Sequence, residues 1–374
     1  MKRPPPRPAT PSSVLITGGA GFVGSHLADE LLARGIAVRV LDNLTPQVHE
    51  GRGRPDYLVA DVELVVGDVR DADSVRRALD GVDAVVHLAA RVGVGQSMYE
   101  IVEYTAANSL GTAVLLEALA EQPVGKLVVA SSMSVYGEGL YRAADGSEAE
   151  PVGRTREQLA RDEWEFPGLE PVPTPERKRL GLASTYALTK FGQESACLLC
   201  GAAYGIPTVA LRLFNTYGTR QALSNPYTGV LAIFASRLLN NRRPRVFEDG
   251  LQRRDFVSVH DVVDAFALAL ERDGGDGLAL NIGSGDSFTV RSLGEQLAAT
   301  VGKQIEPQLT GEYRAGDIRH CFADIGLARE ALGFEPKVGL EQGMAELAAW
   351  LEGQVAVDRV DAAAAELKER GLAL

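Results

Sequence analysis

The stretch "STYALTK" sets Tyr186 and Lys190 four residues apart, one turn along a single face of a helix. A phenol of ordinary pKa near ~10 is a poor base at neutral pH, and a neighbouring ammonium or other cation favours its ionised form. Lowering such a pKa by about two to three units takes roughly 3–4 kcal/mol, within reach of two nearby positive charges. Upstream, "ASSMSVYG" (130–137) sets the hydroxyls of Ser132 and Ser134 beside a hydrophobic run. An ionised phenol, its cation and a hydroxyl can together move a proton on and off a substrate oxygen. If the attached carbon is oxidised at the same time, the site also needs a hydride acceptor.

A place for that acceptor is written near the start of the chain. Gly18, Gly21 and Gly24 form Gly-x-x-Gly-x-x-Gly between a short β-rich run, Val14 to Thr17, and a helical pattern with Val23, Leu27 and Leu31 four apart. The first glycine permits a tight turn. The second lets backbone N–H groups approach a pyrophosphate, and the third lets helix and sheet pack closely. Asp42 ends the next strand, where a carboxylate accepts hydrogen bonds from both ribose hydroxyls and repels a 2′-phosphate. No arginine directly follows it, so the cofactor expected is NAD rather than NADP. Asp68 in "GDVRD" is placed for the adenine amine, with Asp71 as the helix N-cap. Ala89 and Ala90 in "HLAA" are small enough for a cofactor to lie against, and His87 reads as a packed histidine.

These groups need a frame. Strands "AVRVLDN", "LVVGD", "DAVVHLAA", "KLVVASS" and "TVALRLFN" alternate with helices, which predicts a doubly wound α/β parallel sheet of Rossmann type, covered on both faces. Ligands bind at the carboxyl ends of such strands. Residues 1–12, proline-rich and basic, read as a disordered lead-in. Residues 13–214 with 256–283 read as the dinucleotide-binding domain, including a long insert at 138–182. Residues 215–255 and 284–374 read as a smaller α/β substrate-binding domain with C-terminal helices. The 374 residues carry a net charge of −12, which disfavours nucleic acid or an acidic membrane as partner. No run is long enough to span a membrane. Three cysteines make no disulfide framework, which suits the cytoplasm. Cys197 and Cys200 have C-x-x-C spacing but lie in an apolar helical run with no second pair, so helix packing is expected and no metal.

The motifs "TGGAGFVGSH", "GDVRD", "HLAA", "NSLGT", "SSMSVYG", "YALTK", "RLFNTYG", "RDFVSVHD" and "NIGSG" resemble the extended short-chain dehydrogenase/reductase family, in its nucleotide-sugar epimerase/dehydratase branch. The resemblance runs from about Val14 to Leu351. It implies that Ser132 is the catalytic hydroxyl, Tyr186 the base and Lys190 its charge partner. It also implies a cofactor site of Gly18, Gly21, Phe22, Val23, Gly24, Asp42, Asn43, Asp68, Val69, Leu88, Ala89, Ala90 and Asn108, together with Tyr186 and Lys190. Dehydratases and decarboxylases of the family carry acids at the "SSMSVYG" strand end, where this chain has Met133 and Ser134. Neither is a general acid at neutral pH. The expected reaction is therefore C4 epimerisation by an isomerase: oxidation to a 4-keto sugar, rotation about the pyrophosphate tether, and re-reduction. The cofactor can stay bound throughout.

Arg254, Arg314 and Asn215 match family positions at the substrate diphosphate, which needs cations and amide donors. With Ser132, Ser134 and Tyr227 they make up the expected substrate site. "QALSNPYTGV" and the tail "VDRVDAAAAELKERGL" resemble dTDP-L-rhamnose 4-epimerase-like members of the family, so the expected substrate is a dTDP-6-deoxyhexose or a UDP-hexose. The insert has no cysteines for a zinc clip. It is either a lid over the sugar, favoured by its tethers to catalytic segments, or a surface excursion. The resemblance also implies a homodimer through a four-helix bundle, with Leu115, Leu116, Leu119, Leu198 and Leu199 available, although core packing explains those residues equally well. A 4-ketoreductase or dehydrogenase of the same fold stands as the alternative. A non-catalytic dinucleotide sensor would lack the tyrosine–lysine pair.

Overall fold

The computed structural model describes residues 10–49, 51, 53–314 and 317–373. Seven strands form its main sheet: β1 (Ser13–Thr17), β2 (Ala37–Asp42), β3 (Glu63–Val66), β4 (Ala84–His87), β5 (Lys126–Ser132), β6 (Thr208–Leu213) and β7 (Ala279–Ile282). All pairings are parallel, in the order β7-β6-β5-β4-β1-β2-β3. β4 and β5 are buried at every position, as strands covered on both faces must be. The order reverses at β1 and β4, so the carboxyl ends there open a crevice.

Two apolar layers hold this sheet. On one face Val14, Ile16, Val128, Leu211 and Leu280 pack with Leu27 and Leu31 of α1 (Phe22–Ala33) and the helix Val259–Glu271. On the other, Leu15, Val85, Leu127 and Val129 pack against α2 (Ala72–Leu79), α3 (Gly111–Glu121) and α4 (Thr185–Tyr204). The alternation of Val14, Leu15 and Ile16 between these layers is the period-two signature of a strand. Gly35 ends the α1 segment at φ +76°, with its N–H donating to Leu32 O. Cys197 lies in the second layer, as helix packing requires.

A third cluster, built on Leu231, Phe234, Phe256, Leu293, Leu297, Met344 and Leu347, serves the part of the chain after Tyr217. Its short ladders pair Arg253–Arg254 with Phe288–Thr289 on one side and with His320–Cys321 on the other. Of the lead-in, residues 1–9 lie outside the described residues. Pro11 is buried, and the Ser12 N–H donates to Asp83 Oδ2 at 2.8 Å.

The insert is a small antiparallel sheet of Leu140–Ala143, Glu148–Ala149 and Leu169–Val172. Ions bind it to the later part of the chain. Arg154 meets Glu248 at 2.8 Å with both side chains buried. The wholly buried Arg319 guanidinium contacts Glu165, Glu248 and Asp249, while His320 Nε2 and Glu165 Oε2 lie 2.9 Å apart. Thr174 N–H donates to Phe322 O. The insert is thus fixed along its length, not only at its ends.

Candidate active site

The turn after β1 is shaped for an anion. Gly18 adopts φ +70°, and a Cβ there would stand 2.8 Å from the Ala89 backbone. A Cβ on Gly24 would meet Gly19 Cα at 2.5 Å, so glycine lets α1 sit against the turn. No side chain caps α1 and no acid occupies its first turn, leaving its N–H groups for a phosphate. Asp42 Oδ2 accepts from Ala20 N–H at 3.0 Å and Oδ1 from Leu44 N–H at 2.9 Å, which ties the end of β2 to the glycine turn. Phe22 and Val23 open α1, half-buried. These features fit a dinucleotide: a glycine cradle at a helix start and a carboxylate one strand away.

The remaining cofactor-side residues gather around the same strand ends. Asn43 Nδ2 donates to Asp68 Oδ2 at 3.1 Å. Asp68 also takes Arg70, whose hydrogen bonds lower its carboxyl to about 2. Asp71 caps α2, as expected. Leu88, Ala89 and Ala90 are half-buried beyond β4, and Val69 packs under Gly111. His87 is buried between Thr17 Oγ1 at 2.7 Å and Thr112 Oγ1 at 2.9 Å, and burial pushes it down to about 3. It is a packed, neutral histidine. Asn108 is fully buried in a π-helical turn, with Oδ1 accepting Arg91 N–H at 2.7 Å and Nδ2 donating to Thr189 Oγ1 at 3.0 Å. It joins the β4 loop to α4, the helix of Tyr186.

Ser132 ends β5, and its Oγ accepts from Ser134 N–H at 3.2 Å to start a tight turn. Tyr186 opens α4, with its N–H donating to Ser97 Oγ at 3.0 Å and the Tyr104 ring edge-on to its own. Burial pushes the Tyr186 phenol above its ordinary value, and the Ser132 hydroxyl pulls it back. The expected lowering of the phenol draws on two cations, the Lys190 ammonium and the positive nicotinamide ring of a bound cofactor. Here the Lys190 ammonium bonds Gln193 Oε1 at 2.9 Å, and burial lowers it to about 8 against the opposing fields of Cys197 and Glu194. In the protein alone, desolvation outweighs the Ser132 hydrogen bond, and the phenol stays above its ordinary value. Ser134 Oγ is buried without a hydrogen-bond partner, a polar atom free for a ligand.

Arg254 and Arg314 converge on one carboxylate. Arg314 Nη2 lies 2.9 Å from Asp317 Oδ2, and Arg254 Nη2 lies 4.0 Å from Asp317 Oδ1. Burial disfavours the Asp317 charge, yet the two guanidinium groups hold its carboxyl below the usual range. Two cations on one anion leave an excess positive charge. Arg254 also donates to Arg253 O and Arg319 O, which fixes its plane. Asn215 Nδ2 donates to Asp255 O at 3.0 Å. Tyr227 meets Tyr99, hydroxyl to hydroxyl, at 2.6 Å. Sequence reasoning missed Ser97, Gln193 and Asp317. Gln193 was readable as i+3 from Lys190 and Asp317 as i+3 from Arg314, whereas nothing local marks Ser97.

A sequence profile of the NAD dependent epimerase/dehydratase family matches residues 14–161 and 165–283. The chain belongs to that family. It is 37% identical over 343 residues to the dTDP-L-rhamnose 4-epimerase of Burkholderia thailandensis, covering 90% of this chain and 94% of that one. The UDP-glucose 4-epimerase of Thermotoga maritima, solved with UDP-glucose, superposes with TM-score 0.75 at 31% identity, covering 91% and 98% of the two chains. That of Thermus thermophilus, solved with NAD, gives TM-score 0.74 at 32% identity, with coverage of 92% and 100%. The Rossmann-type α/β reading and the assignment of NAD as cofactor stand on these family matches together with the glycine cradle. Among the described residues no helix is long and apolar enough to cross a membrane.

Proposed function

We propose that the protein is an NAD-dependent nucleotide-sugar 4-epimerase acting on a dTDP-6-deoxyhexose, dTDP-L-rhamnose being the reference substrate. The observation that carries this is the strand end after β5: hydroxyls at Ser132 and Ser134, the phenol of Tyr186 nearby, and no acid from Ala130 to Gly137. The next acid in the chain, Glu138, accepts N–H groups from Arg319 and His320 and the Tyr141 hydroxyl. No carboxyl of this segment is left to protonate a departing hydroxyl, so elimination lacks its acid. Inversion at one carbon needs none.

NAD, when bound, supplies reversible hydride transfer at the sugar carbon. The chain's own residues handle the proton and the tether. Tyr186 takes the proton from the C4 hydroxyl as a phenolate, a form that burial disfavours and that the positive nicotinamide ring and the Lys190 ammonium would together favour, and later returns it. Ser132 shares the same oxygen, and Lys190, held by Gln193, keeps a positive charge one helical turn away. Arg254 and Arg314, pooled at Asp317, hold the diphosphate while the sugar turns. The third apolar cluster supports the proposed separate unit for Leu231 to Val246 and Leu293 to Leu351, whereas Cys321, Ala323, Ile325, Leu332 and Phe334 pack in the first cluster with the main sheet.

We further propose a homodimer through α3 and α4. Leu115, Leu116 and Leu119 are taken up in the core and Leu198 packs against it, so the outward face belongs instead to Leu188 and Leu199 of α4 and to Leu110 in the turn before α3, which are all exposed. Incubation with a panel of dTDP- and UDP-sugars without added cofactor, read by NMR at C4, tests the activity. Inversion without NADH release is expected. Accumulation of a 4-keto-6-deoxy sugar, or turnover seen only when NADH is supplied and consumed, would overturn it.

A further inference from the structure

We infer that Gln47 is a cofactor-retaining residue, the keystone of a clasp that bridges the dinucleotide crevice. Gln47 belongs to the short helix Pro46–His49, just beyond Asp42 at the end of β2. Its Nε2 donates to Gln96 Oε1 at 3.0 Å and to Asn225 Oδ1 at 3.2 Å, and its Oε1 accepts from Arg91 Nη2 at 3.2 Å. Both amide hydrogens and the carbonyl are thus engaged, by three side chains from two separate segments. Gln96 and Asn225 are 6% and 5% exposed, so the partners are set in the body of the protein.

Topology decides what this bridge spans. Arg91 and Gln96 follow β4, Gln47 follows β2, and β1 lies between β4 and β2 in the sheet. A link from the β2 loop to the β4 loop therefore crosses the carboxyl end of β1, where the Gly18–Gly21 turn stands. A dinucleotide with its ribose at Asp42 and its reactive end at Tyr186 lies along the stretch that the link spans. The partners also connect to the substrate side: Asn225 Oδ1 accepts the Tyr227 N–H, and Gln96 Oε1 accepts the Tyr104 hydroxyl, whose ring meets Tyr186. An epimerase ends each turnover with its cofactor unchanged and gains nothing from releasing it. The inference rests on the epimerase reading and adds the device that keeps the cofactor in place.

The test uses the whole protein loaded with etheno-NAD, a fluorescent analogue, and chased with unlabelled NAD. Gln47→Met keeps the side-chain volume and removes all three hydrogen bonds. It should release the probe roughly tenfold faster or more, and emerge from gel filtration depleted of NAD. Asn225→Ala, which cuts the link from the other side, should also speed release, and the double variant should be little faster than Gln47→Met alone. Release from folded Gln47→Met at the wild-type rate would overturn the clasp while leaving the epimerase reading intact. If Gln47→Met does not fold, Asn225→Ala decides on the same criterion. A wild-type protein that neither carries nor binds NAD would overturn the dinucleotide reading, and the clasp with it.

Discussion

Tyr186 and Lys190 behave differently from an idealised pair because Lys190 is buried and Tyr186 half-buried, and both have few partners. The phenol stands above its ordinary value, and the ammonium is lowered to about 8. Two outcomes follow. Tyr186→Phe should cut kcat by roughly 10³-fold while the amount of bound NAD stays the same, as steady-state assays and acid release of the cofactor would show. In the wild type, kcat should fall as pH rises through about 8, where Lys190 loses its proton, a limb absent from the residual activity of Lys190→Met. Stability moves the other way. Folding lowers the Lys190 pKa, so the unfolded chain holds a proton that the folded chain has released between about 8 and the ordinary lysine value. Across that window this group's contribution to stability rises with pH, which thermal melts of the wild type and Lys190→Met would separate.

At the level of elements, the glycine turn and the docked insert carry different kinds of rigidity. Gly18→Ala places a side chain at φ +70° and 2.8 Å from the Ala89 backbone, so it should destabilise the fold by about 1–3 kcal/mol in urea titrations and abolish NAD binding. Arg319→Ala removes the cation that Glu165, Glu248 and Asp249 share. A loss of roughly 3–5 kcal/mol is expected, with new proteolytic cuts between 138 and 182. The contrast also shows what was legible in the sequence. Strands, helix ends and glycines obey local rules, so β1 to α1, the Asp71 cap and the placement of Tyr186 on a long helix were readable. The insert was not. Its strands are two to four residues long, and its anchors join residues 154 and 248, or 165 and 319, which no window along the chain brings together. The direction of the Lys190 side chain was hidden for the same reason: it depends on Gln193, itself held by Ala89 O and Thr112 Oγ1 from other elements.

For the molecule as a whole, α4 carries exposed apolar side chains on the same helix as Tyr186. Leu188 and Leu199 are 56% and 70% exposed, and eleven residues apart on α4 they share one face. Leu188→Asp with Leu199→Asp should convert a dimer to a monomer in sedimentation velocity, with cofactor content kept. A wild-type protein that sediments as a monomer would remove the proposed bundle.

The carboxylate of Asp42 has one more consequence, for anyone redesigning cofactor preference. Because its Oδ2 also receives the Ala20 amide hydrogen, it is a strut of the loop as well as the proposed discriminator between cofactors. Exchanging it for a small neutral residue to admit a phosphorylated ribose would withdraw that strut and slacken the seat beside it. A successful switch would have to install a second acceptor for Ala20 in the same step.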